Sequence, residues 1–117
     1  MEIVRVKTRE GAIEYGCEVG DNVYRLAGDL YGEFSRSEEQ LDPVQRLAPI
    51  EPTAIYAIGL NYRAHAAEMN SELPEHPVVF MKSTSSVLDP EGTILLPRHL
   101  HSDQVDYECE LAVVIGR

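Results

Sequence analysis

The alternation of apolar and polar positions in the first part of the chain predicts a small antiparallel β meander. Residues 2–7 are rich in β-branched side chains, and residues 23–26 form another short apolar run. Between them, the apolar positions of residues 12–19 recur at every second residue, namely Ile13, Tyr15, Cys17 and Val19. A period of two residues is typical of a strand with one buried face. Turn-forming residues separate the three segments, so we expect consecutive strands to pair through short loops.

The pattern becomes less regular after the meander. Residues 35–41 are polar and favour a short helix, with Ser35 or Ser37 as its cap. Prolines then punctuate the chain as far as residue 52, which is typical of a boundary between domains. We therefore expect a small antiparallel β/α N-terminal domain over residues 1–52 and a second domain over residues 53–117.

The second domain begins with alternating strand and helix signals. Residues 54–58, 78–82 and 93–96 are short apolar runs that predict strands. Residues 60–70 contain several alanines, which favour a helix, and Asn61 is placed to cap it. The pattern as a whole predicts a mainly β fold with short helices.

Residues 105–117 combine alternating acids with a long apolar run, and they predict a buried β-strand. In such a strand Asp106, Glu108 and Glu110 share one face. Carboxylates at this spacing repel each other by about 2–2.5 kcal/mol at an effective dielectric constant of 20. A shared proton, a basic side chain or a divalent cation (Mg²⁺, Mn²⁺ or Ca²⁺, which prefer oxygen ligands) would relieve this repulsion. The alternative is an edge strand whose acidic face is solvated.

Other residue pairs suggest chemistry with less specificity. On a helix, His65 and Glu68 lie on one face, where the carboxylate can orient the imidazole for activating water. The alternative is an ion pair on an exposed helix. Lys82 ends a predicted strand and either serves a site or simply marks the strand end. We interpret His99 and His101 as loop residues rather than metal ligands.

Composition excludes several function classes. Acidic residues outnumber basic ones by 20 to 10, and the formal net charge is −10, so nucleic-acid binding is not expected. The sequence contains no apolar run long enough to span a membrane, and it shows no export signal. Cys17 and Cys109 have no metal-binding spacing, and we expect both to be reduced and buried in a cytoplasmic protein.

Four motifs occur in order along the second domain: G-L-N-Y-R-A-H-A-A-E at 59–68, P-V-V-F-M-K at 77–82, I-L-L-P at 94–97 and D-Y-E-C-E-L-A-V-V-I-G-R at 106–117. Together they resemble the fumarylacetoacetate hydrolase family, and the leading meander is similar to the small N-terminal region of many members. The resemblance implies a mixed β-sandwich roll, a homodimer, and small keto acids as substrates.

The resemblance also implies roles for individual residues. Glu108 and Glu110 would bind Mg²⁺ or Mn²⁺ together with a later Asp, His65 and Glu68 would activate water, and Lys82 would lie near the substrate. Because the sequence ends seven residues after Glu110, without that Asp, we expect an N-terminal part of the family fold that is inactive or incomplete alone.

Three functions remain open at this point. The first is a divalent-metal-dependent hydrolase that cleaves a C–C bond of a small keto acid of the acylpyruvate or fumarylacetoacetate type. The second is an isomerase or decarboxylase acting on 2-hydroxyhepta-2,4-diene-1,7-dioate or oxaloacetate. The third is a non-catalytic structural remnant.

Overall fold

The computed structural model describes residues 1–96 and 98–116, and it is mainly β, as predicted. The chain consists of two compact units. The first unit consists of Met1–Pro49 and the chain from Leu88 onward, and the second is Ile50–Val87. The domain boundary proposed at residue 52 stays a prediction.

The first unit contains a five-stranded antiparallel sheet whose order is β4-β3-β2-β1-β5. Its strands are β1 (Glu2–Thr8), β2 (Ile13–Val19), β3 (Asn22–Gly28), β4 (Phe34–Leu41) and β5 (Pro43–Arg46). The predicted meander is confirmed for β1 to β3, which pair consecutively. β5 then returns to the free side of β1, with Val6 opposite Arg46. Proline is compatible with the first position of such an edge strand, because no ladder hydrogen bond is required there.

One face of this sheet forms the core of the unit. Val4, Val6, Val23 and Leu41 are buried there as one cluster. Gly16 lies opposite Val4 on the neighbouring strand. A Cβ atom at Gly16 would clash with Val23 Cγ1 and would lie 3.2 Å from the Tyr24 carbonyl oxygen. The glycine therefore lets the Val23 side chain close over the sheet.

The short helix predicted over residues 35–41 is wrong, because these residues form β4. The polar sequence carries little preference of its own, and contacts with β3 decide its conformation. Arg25 on β3 donates hydrogen bonds to both carboxylate oxygens of Glu39, at 2.8 and 3.0 Å. This hydrogen bonding is the main reason that the pKa of Glu39 lies below its ordinary value. Tyr24 adds a contact with the Arg36 guanidinium, 5.1 Å from the ring centre.

The second unit is built on a two-stranded antiparallel sheet of β6 (Ile55–Gly59) and β7 (Val78–Lys82). Both strands were predicted, and β7 has the predicted bounds. The connection between them contains α1 (Arg63–Glu68), and a 3₁₀ turn (Thr84–Ser86) follows β7. Ala66 is the buried residue of α1.

The two ends of α1 are defined in different ways. At the N-terminus, Tyr62 occupies the cap position and its side chain makes no capping hydrogen bond, so the predicted Asn61 cap is wrong. At the C-terminus, the Asn70 amide donates to the Ala67 carbonyl and the Ser71 amide donates to the Ala66 carbonyl. Asn70 has a φ of +50°. This is a Schellman ending with asparagine in the left-handed position that glycine usually takes.

The buried strand predicted at the C-terminal end is wrong within the described residues. Residues 105–116 belong to no helix or strand and are exposed, and the same holds for residues 93–96. Pro97 and Arg117, which also belong to the motifs, lie outside the described residues. A strand is stabilised by a paired ladder and by burial of its faces, and neither sheet takes up these segments. Apolar patterning alone therefore does not make them strands.

Two further predictions concern cysteines and membrane spans. Both cysteines are free of disulfides, but Cys109 is exposed, so its predicted burial is wrong. Among the described residues, no helix has the length and apolar character that crossing a bilayer requires.

Candidate functional site

The His65–Glu68 pair lies on α1, one turn apart on the same face of the helix. The distance from His65 Nδ1 to Glu68 Oε2 is 3.8 Å, and the two side chains are 54% and 79% exposed. This distance permits an ion pair with a protonated imidazole, but it is longer than a direct hydrogen bond. The predicted pair is therefore brought together, in a solvent-accessible position.

Lys82 ends β7 in the same unit. Its ammonium nitrogen lies 5.7 Å from the centre of the Phe80 ring, two residues earlier on the same face of the strand. The adjacent turn is rich in hydroxyl groups: Ser83 Oγ lies 2.7 Å from Ser85 Oγ, and Ser86 Oγ donates to the Ser83 carbonyl at 2.6 Å. The sequence reasoning did not connect these hydroxyl groups with Lys82, although the run of hydroxyl residues directly after it in the sequence was a visible signal.

Glu108 and Glu110 lie in the irregular segment of the first unit, and both are exposed. The prediction that they share one face assumed a strand, and this segment is not a strand. In the described part of the chain, no group of three or more His, Cys, Asp or Glu side chains is placed to hold a metal ion. Carboxylates suit a hard divalent cation, but Mg²⁺ requires about six oxygen ligands. These two side chains alone therefore do not constitute a metal centre.

The remaining histidines of the C-terminal part occupy loop positions, as predicted. His99 and His101 belong to no helix or strand. His101 Nε2 lies 3.7 Å from Asp103 Oδ1, and both side chains are highly exposed. This pair has the geometry of a surface ion pair rather than of a metal site.

One backbone feature near the His65–Glu68 pair has no counterpart in the sequence reasoning. Leu60, immediately after β6, has a φ of +52° and a half-buried side chain. The left-handed region is costly for a residue with a Cβ atom and a bulky side chain. Gly59, for which this region would be inexpensive, lies one position earlier.

Comparison with known proteins provides several matches. An uncharacterised protein of Methanocaldococcus jannaschii is 52% identical over 68 residues, covering 58% of this chain and 28% of that protein. A protein of Arabidopsis thaliana named as a mitochondrial oxaloacetate tautomerase is 49% identical over 74 residues, which cover 63% of this chain and 32% of that protein. A solved structure of an uncharacterised Mycobacterium abscessus protein matches with a TM-score of 0.57 and 32% identity, covering 74% of this chain and 34% of that one.

These relatives are longer than the 117-residue chain. The chain spans between 22% and 38% of the length of the curated relatives it matches. The family model described as the fumarylacetoacetate (FAA) hydrolase C-terminal domain matches residues 54–117, which are more than half of the chain. The chain therefore belongs to the fumarylacetoacetate hydrolase family.

Proposed function

We propose that the chain supplies the proton-transfer pair of an enzyme that acts on a small keto acid. The observation that carries the proposal is the placement of His65 and Glu68 on one face of α1, with Nδ1 and Oε2 3.8 Å apart. A carboxylate beside an imidazole can orient the ring for proton transfer. The solvent-accessible position of both groups is compatible with access by a small, charged substrate.

The reaction that we favour is keto–enol tautomerisation of a 2-keto dicarboxylic acid. His65 removes a proton from the carbon beside the keto group, and the electron pair of that C–H bond forms the carbon–carbon double bond. The π electron pair of the carbonyl group moves onto its oxygen, which takes a proton from water to give the enol. The imidazolium of His65 returns its proton to the hydroxide that remains, and the reverse sequence restores the keto form. Family membership and the tautomerase names of relatives from Arabidopsis and rat support this choice.

Hydrolysis of a C–C bond is the second candidate, favoured by the description of the matching family model. In this reaction His65 takes a proton from water while the oxygen attacks a carbonyl carbon. The bond between that carbon and its neighbour then breaks, its electron pair stays on the neighbour as an enolate, and His65 returns the proton there. Both candidate reactions require His65 to accept a proton, so they are distinguished by which substrate the enzyme turns over.

Other side chains have supporting roles in the proposal. The Lys82 ammonium group at the end of β7 is suited to binding a substrate carboxylate. Glu108 and Glu110 are the residues that would hold Mg²⁺ or Mn²⁺, with Ca²⁺ as a further possibility. When bound, such an ion would act as a Lewis acid towards the keto acid. A homodimer and a cytoplasmic location belong to the same proposal, and light scattering after size-exclusion chromatography tests the former.

Oxaloacetate provides the direct test, because its enol absorbs ultraviolet light and the keto form does so weakly. We expect the chain to accelerate decay of the enol, and His65→Ala to reduce that acceleration by about 10²–10⁴-fold. Glu68→Gln should reduce it less. Glu72→Gln, in the exposed loop after α1, is the matched control and should leave the rate unchanged.

The outcomes separate the candidate functions. Cleavage of an acylpyruvate without tautomerisation of oxaloacetate would favour the hydrolase. A folded chain that, with or without Mg²⁺ or Mn²⁺, turns over neither substrate would contradict the catalytic proposal for this chain and favour a structural role. A wild-type rate in His65→Ala would show that the site is assigned to the wrong residue.

A further inference from the structure

The chain crosses between its two units at one place in the first unit. The second unit, Ile50–Val87, is an excursion, because the first unit contains the residues on both sides of it. The Ala48 amide donates a hydrogen bond of 2.7 Å to Asp89 Oδ1, across the base of this excursion. Gln45 Nε2 in β5 lies 3.4 Å from Asp89 Oδ2. Asp89 therefore joins the outgoing and returning segments at what we call the neck of the second unit.

The hydrogen bond at the neck satisfies a buried backbone group. Ala48 is only 5% exposed, so its amide requires a partner within the protein. The half-buried Asp89 side chain supplies a carboxylate oxygen, and hydrogen bonds to a charged acceptor are roughly twice as strong as neutral ones. Removal of the carboxylate would leave the amide buried without this acceptor, which costs more than the loss of an exposed hydrogen bond.

The returning segment presents the Asp89 carboxylate from a tight turn. The Gly92 amide donates to the Asp89 carbonyl at 3.0 Å, Pro90 is the second residue, and Glu91, the third, has a φ of +63°. This combination is typical of a type II turn. A Cβ atom at Gly92 would lie 2.5 Å from Leu88 Cγ, so the turn packs closely against the residue before it. The carboxylate is thus held by an ordered backbone on the returning side of the neck.

The second unit has little core of its own. The structure describes all of Ile50–Val87, and Ala66 is the one buried residue within this range. The sheet of this unit has two strands, and an isolated two-stranded sheet is at best marginally stable in water. Such a segment gains stability when its ends are held together, because closure removes conformational freedom from its unfolded state. The hydrogen bond between Ala48 and Asp89 provides this closure.

We propose that Asp89 is a latch that closes the neck of the second unit and thereby limits how often that unit opens. While the latch is closed, both ends of the second unit are held at the first unit. Without the latch, the returning segment detaches more easily, and the opened unit gains conformational freedom. The first unit has its own core cluster and can remain folded during such an opening. This role does not depend on the reaction that the chain catalyses.

Native-state hydrogen exchange tests the latch, since it measures the opening of each strand separately. We expect Asp89→Ala to accelerate exchange of the Ala48 amide and of the β6 and β7 amides by a common factor of about ten to a hundred, as for the loss of one hydrogen bond to a charged group. Asp89→Asn retains an oxygen that accepts from Ala48 without the charge, so we expect a smaller acceleration, of about threefold to tenfold.

Asp42→Ala is the matched control. Asp42 also lies in the first unit and accepts a hydrogen bond from Arg9 Nε at 2.6 Å, but this exposed pair is not at the neck. The control should leave exchange in β6 and β7 at the wild-type rate. Equal acceleration by Asp42→Ala and Asp89→Ala would overturn the latch, as would acceleration at Ala48 alone.

Two further outcomes bear on the latch. A single common exchange rate for β6, β7, β2 and β3 in the wild type would show that the second unit does not open separately, and unprotected β6 and β7 amides would show that the latch does not keep it folded. Either result overturns the proposal. If Asp89→Ala does not fold, Asp89→Asn decides: faster exchange in β6 and β7 supports the latch, and wild-type rates there overturn it.

Discussion

Replacement of Gly16 by alanine tests how tightly the sheet of the first unit is packed. The added methyl group would clash with Val23 Cγ1, and it would lie 3.2 Å from the Tyr24 carbonyl oxygen and 3.4 Å from Leu41 Cδ1. Val23 is a buried β-branched residue, and Leu41 belongs to the same core cluster. The Val23 side chain therefore has to rotate away from its packed position, or the strands have to separate.

Two opposing effects determine the magnitude. Overpacking of a filled core costs about 1–3 kcal/mol. Glycine to alanine also restricts the unfolded chain, which stabilises the folded state by about 0.4–1 kcal/mol where the backbone conformation is compatible. Gly16 has no positive φ, so this second effect applies. We expect Gly16→Ala to lower the free energy of unfolding by about 1–2 kcal/mol in total.

Urea unfolding followed by circular dichroism measures this difference. Gly59→Ala is the matched control, because Gly59 also lies in a strand without positive φ, and the nearest atoms to its added Cβ are those of Val78 at 3.5 Å. That variant should be neutral or slightly stabilising. If Gly16→Ala has the same stability as Gly59→Ala or the wild type, the packing argument for the β2–β3 contact is wrong.

Three further predictions concern charge, a buried hydroxyl and metal binding. The pKa of Glu39 is lowered by its hydrogen bonds with Arg25, so this ion pair stabilises the folded chain at neutral pH and ceases to do so as the carboxylate is protonated in acid. Urea unfolding across pH should therefore show that the wild type is more stable than Glu39→Gln at neutral pH and that the difference vanishes in acid. Among the described residues, Thr8 Oγ1 is buried and has no hydrogen-bond partner, so Thr8→Val should raise the free energy of unfolding by about 1 kcal/mol or more in urea unfolding; a decrease would indicate a bonded hydroxyl. In calorimetric titration with Mn²⁺, Glu108→Gln and Glu110→Gln should weaken binding while Asp106→Asn does not; equal losses in all three would indicate diffuse attraction to an acidic segment.

The local pattern of apolar and polar residues was sufficient to predict the strands whose own sequence favours β structure. The alternation in residues 12–19 and the apolar runs around β6 and β7 correspond to observed strands. These segments combine β-branched side chains with flanking turn residues, so propensity and pattern agree. The positions of His65 and Glu68 on one face of a helix followed in the same way, because i, i+3 spacing determines that neighbourhood in any helix.

Sequence reasoning failed where a segment depends on its partners. Residues 35–41 have a polar sequence, and pairing with β3 made them a strand, with Glu39 held by Arg25. Residues 105–116 have a strong strand pattern, and yet neither sheet of the described chain takes them up. The left-handed turn at Leu60 had no sequence signal at all, since leucine is disfavoured there.

The sequence by itself determined the family, the mainly β character and the residues that carry the proposed chemistry, because motif order, side-chain period and residue type are properties of the chain. Tertiary structure decided which patterned segments became strands, how α1 begins, and how exposed His65 and Glu108 are. The physical reason is that ladder hydrogen bonds, burial and enforced backbone strain all require a partner distant in sequence. A strand pattern records a preference, and only a neighbouring strand converts that preference into structure.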